Sequence, residues 1–264
     1  MQADTPVLKD IVLVGGGHAH VSVLRMFGMK PVPGVRLTLI TRDIHTPYSG
    51  MLPGYVAGHY DYDDVHIDLG PLARFAGARL YHGEVDGIDP DERLVHVPGR
   101  PAVHYDLLSI NTGSRPRTID VPGALEHAYP VKPIDEWLRD WEALQARVLQ
   151  RGGDFRIAVV GGGAGGVELA LSTQHRLQGL LRTHGDAVSR LRYALLTDGP
   201  EILPTHNAGV RKRFMRVLGE RGIEVRCDSK VASVETGGVQ LDTGEFRSAD
   251  AVLWVTMAAA PGWP

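Results

Sequence analysis

A chain of 264 residues, 43% of them apolar and 22% charged, has material for two modest hydrophobic cores at roughly 100 to 200 residues per domain. Its formal net charge of -3, with Lys and Arg scattered among acids, excludes the basic face that nucleic acid requires, and a single cysteine, Cys227, excludes an internal disulfide and a pair of redox thiols. No run approaches the roughly 20 apolar residues of a membrane span, and the N-terminus lacks a basic region followed by an apolar core, so a cytoplasmic chain is expected.

Taken in order, residues 11–14 are a short apolar run that breaks into three glycines and resumes as an apolar-periodic stretch over 21–27, the pattern of strand, tight turn and helix. Residues 35–41 supply a second strand. Residues 80–97 read as a hairpin around Asp89-Pro90-Asp91, and 105–111 as an apolar strand that closes the first sheet. Over 133–150, Trp137, Leu138, Trp141, Leu144 and Val148 recur at helical spacing, an amphipathic helix expected to serve as a domain joint. The strand-turn-helix-strand grammar then returns as 156–160, a second glycine-rich turn, a helix over 167–181 and a strand over 193–197. The last third holds a helix over 208–221, a strand over 223–226, a hairpin turning at Gly237-Gly238 and an apolar strand over 251–256. That last strand has no covering element after it, which leads us to expect that the first domain is completed by residues outside the sequence.

The second glycine turn, Gly161-Gly162-Gly163-Ala164-Gly165-Gly166, fits GxGxxG between a strand and a helix, the context that gives this pattern meaning. Gly161 permits the tight turn, Gly163 removes the side chain that would block a pyrophosphate, and Gly166 lets helix and strand pack closely, while the helix N-terminus offers its amides to phosphate. The first turn, Gly15-Gly16-Gly17-His18-Ala19-His20, keeps the first two glycines and puts His20 where the third would stand, so helix and strand are expected to lie slightly apart. His18 and His20 read as turn and helix-start residues, and no third metal ligand is evident nearby. The acidic residue that grips a ribose is displaced in both units, since Thr41 is followed by Arg42 and Asp43, and Thr197 by Asp198. Asp198 either accepts from a ribose hydroxyl and repels the extra phosphate of NADPH, or starts the Asp198-Gly199-Pro200 turn. NADH is the better match on the first reading.

The two fingerprints, the Asn111-Thr112-Gly113-Ser114-Arg115-Pro116 segment and the run from Gly161 to Glu168-Leu169-Ala170 resemble the pyridine nucleotide-disulfide oxidoreductase superfamily of flavoproteins over nearly the whole chain. Within it, GGGHAHV and the stretch HTPYSGMLPG at 45–54 are similar to the branch fused to, or found beside, selenide, water dikinase, which is itself similar to type II NADH dehydrogenases and sulfide:quinone reductases. The resemblance implies an α/β chain of two Rossmann-like three-layer (ββα) dinucleotide-binding domains in tandem, the second inserted in the first: 1–118 for FAD, 119–248 for NAD(H), and 249–264 as the truncated start of a returning FAD segment.

It further implies FAD at the first turn, with Gly15 and Gly17 on the pyrophosphate, His18 among the cofactor-binding residues, Thr41 or Arg42 near the adenosine, and Val85 holding the adenine by its backbone. Thr112-Gly113 resembles the family's ATG signature, which passes close to FAD, and Pro47 opens the segment beside the flavin. Gly161, Gly163, Gly166 and Glu168 fall to NADH, with Glu168 at the nicotinamide end or, equally, a solvated helix-start residue. The family's GD turn has no counterpart after Thr256, and Met257 stands where relatives tend to carry glycine. The function implied is hydride transfer from NADH to flavin and on to a quinone or a sulfur or selenium compound, with selenide, water dikinase as a partner. Contact with a membrane surface would need a further C-terminal segment. The rival expectation is a nucleotide-binding or interaction module without turnover. No side-chain nucleophile or acid-base pair is required by the hydride chemistry, and Cys227 reads as a buried thiol.

Overall fold

A computed structural model describes residues 6–116, 121–256 and 258–259. The contacts divide into two compact units: the described residues up to Tyr48 with Tyr62–Ser114, and Ser49–Asp61 with the described residues of Arg115–Ala259.

The first unit is built on a four-stranded parallel sheet in the order Arg79–His82, Val35–Thr41, Lys9–Val14, Leu107–Ile110. Alternation along the strands decides its layers, because successive side chains leave opposite faces. Leu13, Leu37 and Leu39 point to one face, where they pack with Leu24 of the helix His18–Met29 and with Leu69. Val12, Val14 and Ile40 point to the other, against Val85, Val95, Val97 and Tyr105. That second face is covered by a three-stranded antiparallel ribbon of Gly87–Asp89, Leu94–His96 and Val103–His104.

The second unit repeats the plan. Its five-stranded parallel sheet runs Tyr129–Pro130, Ala251–Trp254, Phe155–Val160, Leu191–Leu196, Ile223–Arg226. Phe155, Ile157 and Val159 face the helices Ile134–Gln150 and Ala164–His184, while Ala158 and Val160 face the antiparallel ribbon of Val231–Glu235, Gly238–Leu241 and Phe246–Ser248. Each unit is therefore a three-layer α/β sandwich of Rossmann type. One further device is shared. The Asp before the last strand of each sheet accepts from, and donates to, the backbone at the start of the central strand: Asp106 Oδ2 takes the Asp10 amide at 2.7 Å and Asp250 Oδ2 takes that of Arg156 at 2.7 Å. The Asp10 amide, then the Lys9 ammonium, holds the Asp106 carboxyl below its ordinary range.

Three expectations are corrected. Arg79–His82 is not an arm of the hairpin but a parallel strand beside Val35–Thr41, and the hairpin is the shorter pair Gly87–Asp89 with Leu94–His96 around the predicted turn. Local turn chemistry located the hairpin, while the fourth strand of the sheet needed a long-range partner to declare itself. Ile134–Gln150 is not a joint: Trp137, Trp141, Leu144 and Val148 form a stripe at i, i+4, i+7 and i+11 that is buried in the second unit's core, and the buried Arg190 guanidinium caps the helix by donating to the carbonyl of Val148 at 2.6 Å. Ala251–Trp254 does not begin a return to the first unit, since it pairs with Phe155–Val160 in the middle of the second sheet. Its four buried residues are explained by cover on both faces within that unit.

Because Leu144 is fully buried beside two tryptophans, Leu144→Ala should destabilise the second unit by about 2–5 kcal/mol in urea unfolding followed by tryptophan fluorescence. Leu125→Ala, at a side chain 60% exposed, should change it by less than about 0.5 kcal/mol. Equal effects of the two substitutions would refute this packing.

Candidate dinucleotide-binding loops

Each unit carries its glycine loop where the central strand of the sheet gives way to a helix. In the second unit the strand Phe155–Val160 ends at Gly161, whose amide donates to Leu196 O at 2.8 Å, and the helix Ala164–His184 begins with Gly163 as its N-cap. Gly161 has φ +127°, and a methyl group there would stand 2.3 Å from the carbonyl oxygen of Val255. A methyl on Gly162 would stand 2.5 Å from the hydroxyl of Thr197, and one on Gly166 only 1.8 Å from the carbonyl of Gly161. Three glycines are thus demanded by the crossing of helix, loop and strand. At Gly163 the requirement is different, because a methyl there would meet nothing within 4 Å. This glycine opens onto free space at the mouth of a 21-residue helix whose first amides lack intrahelical partners, a fit for the phosphates of a dinucleotide.

The first loop follows the same construction with two changes. Gly15 donates to Ile40 O at 2.8 Å, has φ +92°, and lies against the carbonyl of Asn111, as Gly161 lies against that of Val255. Gly16 faces the Thr41 hydroxyl as Gly162 faces that of Thr197. The first change is His20, in the place of the third glycine. Its ring is buried, with Nδ1 2.6 Å from the Gly15 carbonyl and Nε2 2.9 Å from the Ser109 hydroxyl. A carbonyl only accepts, so Nδ1 carries the proton and Nε2 accepts from Ser109. Where Gly166 packs against the Gly161 carbonyl, His20 bonds the corresponding carbonyl of Gly15. Burial pushes the His20 ring below its ordinary value, against the opposing pull of the Gly15 carbonyl. The second change is the side chain of Asn111, which lies over Gly17.

The remaining predicted positions separate into those presented at the loops and those set back from them. His18 is exposed at the first residue of its helix, its ring stacked on Tyr48 at 4.4 Å beside Pro47, which pairs with His66 in a short antiparallel ladder. The stretch at 45–54 is divided, however: Leu52–Ala57 packs on Ala164–His184 in the second unit. Thr112 and Gly113 are exposed just past Asn111. Glu168 is exposed in the first turns of its helix, and Asp198 is exposed immediately after the strand Leu191–Leu196. Thr41 is buried with its hydroxyl donated to Asp43 O at 2.9 Å, so its side chain supports the loop. Arg42 pairs with Asp43 at 2.9 Å and its carbonyl accepts from His82. Val85 is buried under the ribbon of the first unit. The His18 and His20 rings point to different partners, Tyr48 for the first and Gly15 with Ser109 for the second. Cys227 is half-buried on the loop after Ile223–Arg226, and desolvation, with Asp228 and Glu201 nearby, pushes its thiol up, which disfavours a thiolate.

Sequence reasoning passed over Asn111, Ser109 and the role of His20. The misfit at the third glycine was the available signal for His20. Ser109 was hidden because a polar residue inside an apolar strand reads as a neutral position.

His20→Ala should leave the Ser109 hydroxyl and the Gly15 carbonyl without partners and cost about 1–3 kcal/mol. The unfolded ring takes a proton near 6.5 and the folded ring only below that, so the contribution is complete above that value and is lost as pH falls through the lowered folded value. The stability difference between wild type and His20→Ala, measured by urea unfolding from about pH 8 to pH 5, should therefore shrink with acidity. A difference that stays constant would rule out the neutral-ring network.

A family model described as pyridine nucleotide-disulphide oxidoreductase matches residues 9–258. The chain is 26% identical over 252 residues to the NADH dehydrogenase-like protein YutJ of Bacillus subtilis, covering 94% of this chain and 64% of that protein. It is 29% identical over 285 residues to the alternative NAD(P)H-ubiquinone oxidoreductase C1 of Arabidopsis thaliana, covering 95% of this chain and 53% of that one. In structure it is similar to NDH2 from Plasmodium falciparum, solved in complex with NADH, with a TM-score of 0.84 at 18% identity, covering 97% of this chain and 56% of that one. The chain thus spans between about half and two thirds of the length of these relatives. Two glycine loops of matched construction, each at the head of a helix, accord with this match across nearly the whole sequence, and the chain belongs to the pyridine nucleotide-disulphide oxidoreductase family.

Proposed function

We propose that the chain is an NAD(P)H-dependent flavoprotein oxidoreductase, with FAD at the first loop and NADH at the second. The observation that carries this reading is the pairing of two strand-loop-helix junctions of the same design, the second with an unobstructed glycine at Gly163. In the first unit, the residues that would hold FAD are Gly15, Gly17, His18 and Pro47, with Arg42, Thr112 and Gly113 at its margins and Val85 by its backbone; Thr41 supports the loop from beneath. In the second, Gly161, Gly163 and Gly166 shape the pyrophosphate cradle, Asp198 meets the adenosine ribose and Glu168 lies toward the nicotinamide. We take 1–118 and 119–248 as the two binding domains, with Ser49–Asp61 and the strand Ala251–Trp254 assigned to the second.

When bound, reduced nicotinamide and flavin supply a hydride donor and acceptor, chemistry that needs no protein nucleophile. The residues of this chain bind and orient, and their contribution is positional. At Asp198 a carboxylate rejects the extra phosphate of NADPH by like-charge repulsion and accepts from a free ribose hydroxyl, which selects NADH. The names of relatives that reduce ubiquinone support a quinone as the final acceptor. A sulfur or selenium compound, and selenide, water dikinase as a partner, rest on the family resemblance of GGGHAHV and of residues 45–54 alone. Among the described residues no helix is long and apolar enough to cross a membrane.

The test is the visible spectrum of the purified chain, incubated with FAD and then with NADH under anaerobic conditions. Flavin bands that bleach are expected. Protein that binds NADH while failing to bind FAD would instead mark a nucleotide-binding module. Gly163→Val should abolish NADH binding and leave bound flavin in place, because a branched side chain fills the open cradle. Asp198→Arg should weaken NADH and improve NADPH by roughly tenfold or more, in line with the worth of charge-assisted pairs. An unchanged coenzyme preference would return Asp198 to the role of a turn residue.

A further inference from the structure

We infer that the carboxamide of Asn111 is a direct ligand of the diphosphate at the first loop, a binding residue with no counterpart at the second. The inference rests on reading the first loop as a FAD site. Asn111 closes the strand Leu107–Ile110, and its backbone is fixed on both sides: its amide donates to Val14 O at 2.7 Å and its carbonyl accepts from the Gly17 amide at 3.3 Å. The side chain is thereby aimed at the second glycine of the fingerprint. A methyl group on Gly17 would lie 2.5 Å from Asn111 Cγ, 2.5 Å from Oδ1 and 2.6 Å from Nδ2, whereas a methyl on Gly163 would meet nothing within 4 Å. The direction kept clear for phosphate in the second unit is lined by an amide in the first.

Two further observations give that amide a task. Its polar atoms have no hydrogen-bond partner among the described residues, although the residue is half-buried and its backbone is fully engaged. A structural asparagine in a loop ordinarily spends its side chain on a nearby backbone group. Here the neighbouring tasks are already taken, since His20 holds the Gly15 carbonyl and the Thr41 hydroxyl is bonded to Asp43. At the matched position of the second unit stands Val255, whose carbonyl packs on Gly161 as that of Asn111 packs on Gly15, and valine offers no donor. The first loop also lacks the third glycine, with His20 in its place bonded to the Gly15 carbonyl. An Nδ2–H donor on a rigid strand end supplies a hydrogen bond to a phosphoryl oxygen.

The experiment titrates FAD into the full chain and into Asn111→Ala and Asn111→Asp, following flavin fluorescence at low and high ionic strength, with NADH titration of each protein as the control for an intact second unit. A hydrogen bond to a charged group corresponds to roughly ten- to hundredfold in affinity. Asn111→Ala should therefore weaken FAD by about tenfold or more, and Asn111→Asp by more than that, with the excess loss shrinking as salt screens the new carboxylate from the diphosphate. NADH affinity should stay that of wild type in both. FAD affinity equal in all three proteins, or tighter in Asn111→Ala, overturns the assignment of Asn111 while leaving the first loop a FAD site. A wild-type chain that binds NADH and no FAD overturns the reading of the loop itself, and this inference with it.

Discussion

How closely a helix can approach the strand it follows governs both halves of this chain. A carbonyl oxygen turns inward at the end of the central strand, and the first turn of the helix must pass over it. In the second unit the passage is so tight that the Cα of Gly166 is the largest group that fits, since a methyl would fall 1.8 Å from the Gly161 oxygen. That approach brings the unbonded amides of the helix start to the loop, where the dipole and the donors act together on an anion. The same crossing fixes the loop's other neighbours. Thr197 must be small enough to fit beneath Gly162, and the chain leaving Ala251–Trp254 must bring its own carbonyl past Gly161.

The first unit solves the same problem with a residue too large for it. His20 stands at the position of the third glycine, and its imidazole bonds the Gly15 carbonyl. A buried imidazole needs partners for both nitrogens, and Ser109 supplies the second from the neighbouring strand. The consequence is a loop held by side chains in place of close backbone packing. Such a hold is more dependent on protonation than glycine packing is, and it leaves the space over Gly17 to the side chain of Asn111.

Most of the architecture was legible in the sequence because it is local. Apolar alternation in 35–41 and 223–226 gave strands at their observed limits, and both glycine turns lay where a strand passes into a helix. What was not legible depends on partners far along the chain. Arg79–His82 is too short and too mixed to announce a parallel strand, and only its register with Val35–Thr41 makes it one. Ala251–Trp254 was read by its place at the end of the sequence, while its actual place, between Tyr129–Pro130 and Phe155–Val160, is set by pairing with strands far back along the chain. At the candidate site the glycines were legible because each absence of a side chain has a steric reason. The supporting polar residues were not, because a serine or an asparagine at a strand end has many uses and only coordinates select among them.

The matched pairs along the two units bear on how such a chain divides its labour. Gly15 and Gly161, Thr41 and Thr197, Asp106 and Asp250, and the carbonyls of Asn111 and Val255 occupy equivalent positions, which is the set needed to form a sheet, turn a loop and seat a helix. Two pairs that differ, His20 with Gly166 and the side chain of Asn111 with that of Val255, lie at the loop, His20 buried behind it and Asn111 over Gly17. A loop scaffold shared twice and altered in the side chains around it can hold two ligands with the same diphosphate at different strengths. An open cradle bounded by backbone suits a coenzyme that must arrive and leave with each cycle, since few side-chain bonds have to be broken for release. A cradle lined by an amide and latched by an imidazole suits one that stays, because each added donor lowers the rate of departure more than it changes the rate of arrival.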